Sequence, residues 1–185
     1  MDNIKTPEEL LTYMSNNIIY GYLGSDNKIY YFDDPHFDEN WFQYDILQSP
    51  EEVLENKCGN CLDQVELERD WFTKHNYQFD TFYTMVMVDY KNDYQIHAFL
   101  VYKDEDNRWC LFENADFDNR GIYKFDTLEE ALKYQRSTYI NGLKTVNIKD
   151  DEIDKIITTK FSKPSYHISM SSYIDYVTSF DDIKL

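Results

Sequence analysis

The chain has 185 residues, a formal net charge of −17 and an isoelectric point near 4.4. A field of that sign and size repels nucleic acid and anionic membranes, so neither is expected as a partner. The acidity serves solubility, or attraction of a basic substrate or partner.

The length fits one domain, 1–185, with a hydrophobic fraction of 42% and an aromatic fraction of 17% to build its core. Seventeen Tyr and twelve Phe point to a β-rich, aromatic-packed interior. Three Cys make no disulfide framework. The acidic N-terminal stretch lacks the apolar region of a secretory signal, and no run reaches membrane-spanning length. The expectation is a soluble cytoplasmic protein with reduced thiols.

Thr6-Pro7-Glu8-Glu9 reads as a capped helix start. Ile18 to Phe32, with Gly24-Ser25-Asp26-Asn27 between two short apolar runs, reads as a hairpin. Asp33 to Tyr44 is acidic and aromatic and holds His36 and Trp41. Ser49-Pro50-Glu51-Glu52 repeats the helix-start signal, and that short helix ends near Asn56.

Gly59-Asn60 then signals a turn, and a helical pattern from Cys61 to about His75 follows. Cys61 thus falls at a helix N-terminus, where unbonded N–H groups and the dipole favour a thiolate. At about 100° per residue, Cys61 shares a face with Val65, Glu68 and Phe72 and points inward. Glu68 and Arg69 fall in the apolar arc, so each needs a partner inside the fold.

Thr81 to Tyr90, Tyr94 to Tyr102 and Arg108 to Asn114 read as an antiparallel meander. Alternation puts Gln95, His97, Phe99 and Val101 on one face, and Trp109, Leu111 and Glu113 on one face of the next strand. Direct opposition of His97 and Glu113 requires residue numbers that sum to 210, with Lys103 paired to Asn107 across a three-residue turn. An odd sum would turn Glu113 away from His97. A helix from Thr127 to about Tyr139, a weaker helix over Lys149 to Thr158, a last strand over Tyr166 to Met170 and a frayed acidic end complete the chain.

Cys on a helix tip, His on a strand and an acid on the next strand follow the logic of an acyl-transfer triad. The roles fall to Cys61, His97 and Glu113, separated by 36 and 16 residues. Two other readings stay open from the residues alone. Cys58 and Cys61 form a Cys-x-x-Cys pair on a helix tip, as in dithiol redox proteins. The fold could also serve as a non-catalytic binding or inhibitor module for a basic partner. A zinc site from Cys58, Cys61 and His97 lacks a fourth ligand at familiar spacing, so no metal and no cofactor is expected. Cys110, His75, His167 and His36 read as structural.

The run Gly59-Asn60-Cys61-Leu62-Asp63-Gln64-Val65-Glu66-Leu67-Glu68-Arg69, with His97-Ala98-Phe99 and Trp109-Cys110-Leu111-Phe112-Glu113, resembles the transglutaminase-like superfamily. The lead-in Leu47-Gln48-Ser49-Pro50-Glu51-Glu52 is similar to small bacterial members. The motifs span residues 48 to 115 of a motif-bearing core of about 48–125, flanked by 1–47 and 126–185. The resemblance implies an α+β, papain-like core with a central Cys-bearing helix packed on an antiparallel sheet. It implies Cys61 as nucleophile, His97 as general base and acid, and Glu113, where many members carry Asp, as orienting acid. The expected activity is thiol-dependent acyl transfer on an amide of a peptide, a protein or a small molecule, through a thioester. The Cys61 N–H, Gln48 and Trp41 are the oxyanion-hole candidates. Cys58 is a candidate redox partner that could silence Cys61.

Overall fold

Alternating apolar and polar side chains on long β-branched and aromatic runs give a sheet with two covered faces. The computed structural model describes residues 1, 3–34, 44–88, 93–145 and 148–185, and His36 and Trp41 lie outside them. In chain order come α1 (Pro7–Asn17), β1 (Gly21–Leu23), β2 (Ile29–Tyr31), α2 (Pro50–Asn56), α3 (Cys61–Lys74), β3 (Phe79–Val88), β4 (Asp93–Lys103) and β5 (Trp109–Glu113). A 3-10 turn (Phe117–Asn119), β6 (Gly121–Phe125), α4 (Leu128–Thr145), β7 (Ile153–Phe161) and α5 (Met170–Thr178) follow. Among the described residues, β6-β5-β4-β3-β7 form an antiparallel sheet and β1-β2 a separate hairpin. The architecture is α+β.

The helix starts come where the capping signals put them. Thr6, Ser49 and Asn60 each cap a helix in a reciprocal capping box, and Pro occupies the first turn of α1 and α2. One sheet face, with Ala98, Leu100, Tyr102 and Phe112, packs against Leu62, Val65 and Phe72 of α3. The other, with Phe99, Val101 and Leu111, packs against Ala131 and Leu132 of α4. Among the described residues no helix is long and apolar enough to cross a membrane.

The β4–β5 hairpin differs from expectation by one step. Lys103 pairs with Trp109 and Leu100 with Phe112, so the residue numbers sum to 212. The Asp104 N–H donates to the Arg108 carbonyl at 3.0 Å, leaving Glu105-Asp106-Asn107 as the loop, with Asn107 left-handed at φ 60°. The loop keeps three residues but sits one residue further along. Because the sum stays even, Glu113 remains on the face of His97. It is a diagonal neighbour rather than a direct one.

Three expectations for the C-terminal part are corrected. Lys149 to Thr158 is not one helix: after a 3-10 turn over Asp150–Glu152, Ile153–Phe161 is strand β7, paired with β3. Residues 166–170 contribute a single bridge, Ile46 to Ser169, and Ser169 then caps α5. The acidic end is not frayed, since Asp182 bridges Thr159 and accepts from the Thr158 N–H. The α4 helix also runs past Tyr139 to Thr145.

Candidate active site

Cys61 is the first residue of α3, directly after its cap Asn60. Asn60 Oδ1 accepts from the Leu62 and Asp63 N–H groups, and Asp63 Oδ2 accepts from the Asn60 N–H. Gln64 Nε2 donates to the Gly59 carbonyl at 2.7 Å, and Asn114 Nδ2 donates to Gln64 Oε1 at 2.6 Å. These bonds fix the helix tip to the chain leaving β5. Gly59 is required for close approach, not for a turn: a Cβ there would lie 2.9 Å from the Asp63 Cβ.

His97 Nε2 lies 2.7 Å from Glu113 Oε2, with both side chains 6% exposed. The second carboxylate oxygen of Glu113 accepts from the Asp116 N–H at 3.0 Å, so the acid is held at both ends. Cys61 is the next electrostatic neighbour of His97. Burial pulls the His97 pKa down. The Glu113 charge first, and then the neighbouring Cys61, carry it well above the ordinary imidazole value. Cys61, itself 4% exposed, thus meets the His97–Glu113 pair at the end of β5.

The surroundings contain groups that reading the sequence missed. Ile19 forms a parallel bridge with Cys58, which brings Tyr20 against the helix tip. The Tyr20 phenol is thereby an electrostatic neighbour of Cys61. Burial, then the charge of Cys61, push that phenol well above its ordinary value. Tyr139 stacks on His97 with ring centroids 5.2 Å apart. No local signal marks Tyr20 in the apolar run Ile18 to Tyr22. Tyr139 sits where the helix was expected to end.

The family model of a transglutaminase-like domain matches residues 1–140. The chain belongs to the transglutaminase-like domain family. No curated protein and no solved structure matches it significantly.

Within this transglutaminase-like domain the remaining sequence candidates separate. Gln48 is buried and committed: its Nε2 donates to the Cys58 carbonyl and to Asp63, and its Oε1 accepts from Asn56. It braces the helix tip and has no N–H left for a substrate oxygen. Trp41 lies outside the described residues. All three cysteines are free and buried. Burial, with Asp63 and Asp45 nearby, pushes the Cys58 thiol up to about 12, so it is held neutral. Its sulfur packs on Gly21, where a Cβ would stand 2.6 Å away. Cys110 is a core residue.

Arg69 pairs with Glu66 at 3.0 Å, donates to Thr81 Oγ1 and lies over the Phe161 ring. Glu68 does not share that pairing, and its Oε2 makes no hydrogen bond among the described residues. Burial, then the Glu113 charge, push its carboxyl well above the ordinary range, so a neutral acid lies under the site. His75 stacks on Trp71 at 4.0 Å, and His167 contacts Glu52 at 2.8 Å. No three His, Cys, Asp or Glu side chains converge as metal ligands among the described residues.

Proposed function

We propose that this transglutaminase-like domain carries out cysteine-dependent acyl transfer on an amide, from a papain-like core, with Cys61, His97 and Glu113 as its reacting machinery. One observation supports this most. A helix-tip thiol is a neighbour of an imidazole whose Nε2 is held at 2.7 Å by a doubly anchored, buried carboxylate.

The roles follow from the contacts. Nε2 is committed to Glu113, which leaves Nδ1 of His97 for the sulfur. The raised His97 pKa favours imidazolium beside thiolate. The thiolate attacks the amide carbonyl carbon and forms a C–S bond. The C–N bond then breaks, and the leaving amine takes the proton from His97 Nδ1. Water enters next and gives a proton back to His97. The C–S bond breaks, a carboxylic acid leaves and Cys61 returns as thiolate. An amine in place of water would give a new amide. Hydrolysis is the default, because water needs no acceptor site.

The Cys61 N–H is the first oxyanion donor, since the Asn60 cap takes the Leu62 and Asp63 N–H groups and leaves this one. The Tyr20 hydroxyl, a neighbour of Cys61, is the second donor in this reading. The test is alkylation of each cysteine by iodoacetamide across pH, read by mass spectrometry, in the parent and in His97→Ala. Cys61 should react fastest below pH 7 and lose that advantage in the variant. Equal rates for Cys61 and Cys110 at every pH would overturn the reading.

A further inference from the structure

His97 shares a sheet face with Phe99 and Val101, and that is the face α4 covers. The helix lies on it with one stripe at helical spacing: Leu132, Gln135, Tyr139 and Leu143. Gln135 Oε1 accepts from Thr84 Oγ1 at 3.1 Å, and Thr84 is the direct cross-strand partner of His97. Arg136 donates to Thr158 Oγ1 at 2.9 Å and ties the same turn to β7. Tyr139 is the next member of the stripe, one helical turn past this anchor. That step carries the helix from β3 to β4 and sets Tyr139 on His97.

The two rings are stacked, with centroids 5.2 Å apart and planes 25° from parallel. Phe99 lies parallel to the same imidazole at 6.1 Å and 10°. Tyr139 also packs against Val86, Val88, Leu143 and Ile148, so its ring is held by the body of the protein as well. Its hydroxyl makes no hydrogen bond among the described residues. What Tyr139 offers His97 is therefore a ring face.

A face at this distance acts in two ways. It favours one orientation of the imidazole, close to parallel. It also attracts a cation within about 6 Å of its centroid and does little for a neutral ring. The other titratable groups around the imidazole are Cys61 and the neutral Glu68 from α3 and Glu113 from β5, with Asp116 near the Tyr139 ring. From β3 the facing residue is the uncharged Thr84.

We infer that Tyr139 is a positioning residue: its ring holds the His97 imidazole in the plane that presents Nδ1 to Cys61 and favours imidazolium with thiolate over the neutral pair. This rests on Cys61 being the nucleophile and His97 its base. The proton moves from sulfur to Nδ1 with or without Tyr139. The ring face shifts where it rests.

The test is the pH profile of iodoacetamide alkylation at Cys61 in the parent, Tyr139→Phe and Tyr139→Leu. Tyr139→Phe keeps the face and should keep the parent midpoint. Tyr139→Leu fills much of the space without a face. Its midpoint should rise by about one pH unit, and its rate at pH 6 should fall about ten-fold. At pH 9 the three rates should agree within about two-fold, because the thiolate then forms without help from His97. Cys110 reports the fold in the same digest, since it stays slow while the core is closed. If Tyr139→Leu frees Cys110, Tyr139→Met fills the space with an unbranched chain and takes its place.

An unmoved midpoint in Tyr139→Leu would overturn the role. So would an equal fall at every pH, which is what a purely structural loss gives. A shift in Tyr139→Phe as large as in Tyr139→Leu would also overturn it, since the hydroxyl and not the face would then act. Failure of the nucleophile reading looks different: in the parent itself, iodoacetamide would not distinguish Cys61 from Cys110, and both readings would fall together.

Discussion

Two histidines in this molecule touch a glutamate through the same atoms. His97 Nε2 lies 2.7 Å from Glu113 Oε2, and His167 Nε2 lies 2.8 Å from Glu52 Oε2. The first pair is 6% exposed on both sides, while the second is 60% exposed at His167 and 32% at Glu52. Water screens the second pair, so the same contact couples its members weakly. The first pair has a third member, Cys61, and a carboxylate held by the Asp116 N–H. Distance between side chains therefore does not separate a buried, strongly coupled pair from a surface tie. Burial and the next partner along the chain of bonds do.

The largest expected effect follows from removing the charge in one pair and then in the other. Glu113→Gln keeps the shape but removes the charge that holds the His97 pKa up. Alkylation of Cys61 at pH 6 should slow on the order of 100-fold. Glu52→Gln should change it less than about two-fold, because a screened surface pair does not reach the site. Comparable losses in both variants would erase the distinction between the two pairs.

A second effect concerns stability against pH. Asp63 and Glu66 are buried, and burial pushes each carboxyl up to about 7. Glu68 and Asp45 move well above their ordinary range for the same first reason. A carboxyl whose folded pKa exceeds its unfolded value stabilises fully below about pH 4, and that stability is lost as pH rises through about 7. The raised His97 pKa works in the same direction. Opposing groups such as Asp104, drawn down to about 2 by its contacts with Arg108 and Lys124, lose their contribution only in strong acid. The melting temperature should rise on the order of 5 °C from pH 8 to pH 5. Asp63→Asn should flatten that slope. A melting temperature that falls over the same interval would count against buried, neutral acids at the helix tip.

What the sequence disclosed and what it hid follow from the range of the interactions involved. Caps are local, so Thr6, Ser49 and Asn60 announce their helices within four residues. Strand alternation is local too, and it placed His97 and Glu113 on one face even though the loop slipped by a residue. Strand β7 was misread because Ile153, Ile156 and Ile157 imitate the apolar spacing of a helix. Pairing with β3 and a run of β-branched residues, Ile156 to Thr159, decide it as a strand. Tyr20 reaches Cys61 only through the Ile19–Cys58 bridge, a contact between distant segments that no local pattern encodes. Arg69 chose Glu66 over Glu68 for a geometric reason: Glu66 and Arg69 are one turn apart, whereas Glu68 turns toward the sheet.

The smallest effect belongs to the exposed pair, and it tests the comparison from its weak side. His167 holds a left-handed backbone at φ 61°, a conformation that costs a side-chain-bearing residue on the order of 1 kcal/mol. Its contact with Glu52 gives back at most about 1 kcal/mol in water. His167→Gly removes the contact and the strain together, so unfolding free energy should stay within about 0.5 kcal/mol of the parent. His167→Ala removes the contact and keeps most of the strain, so it should be the less stable of the two. A loss above about 2 kcal/mol in His167→Gly, measured by urea unfolding, would mean that the tie between α2 and the chain before α5 couples as strongly as a buried pair. Exposure would then no longer separate the two histidine–glutamate pairs.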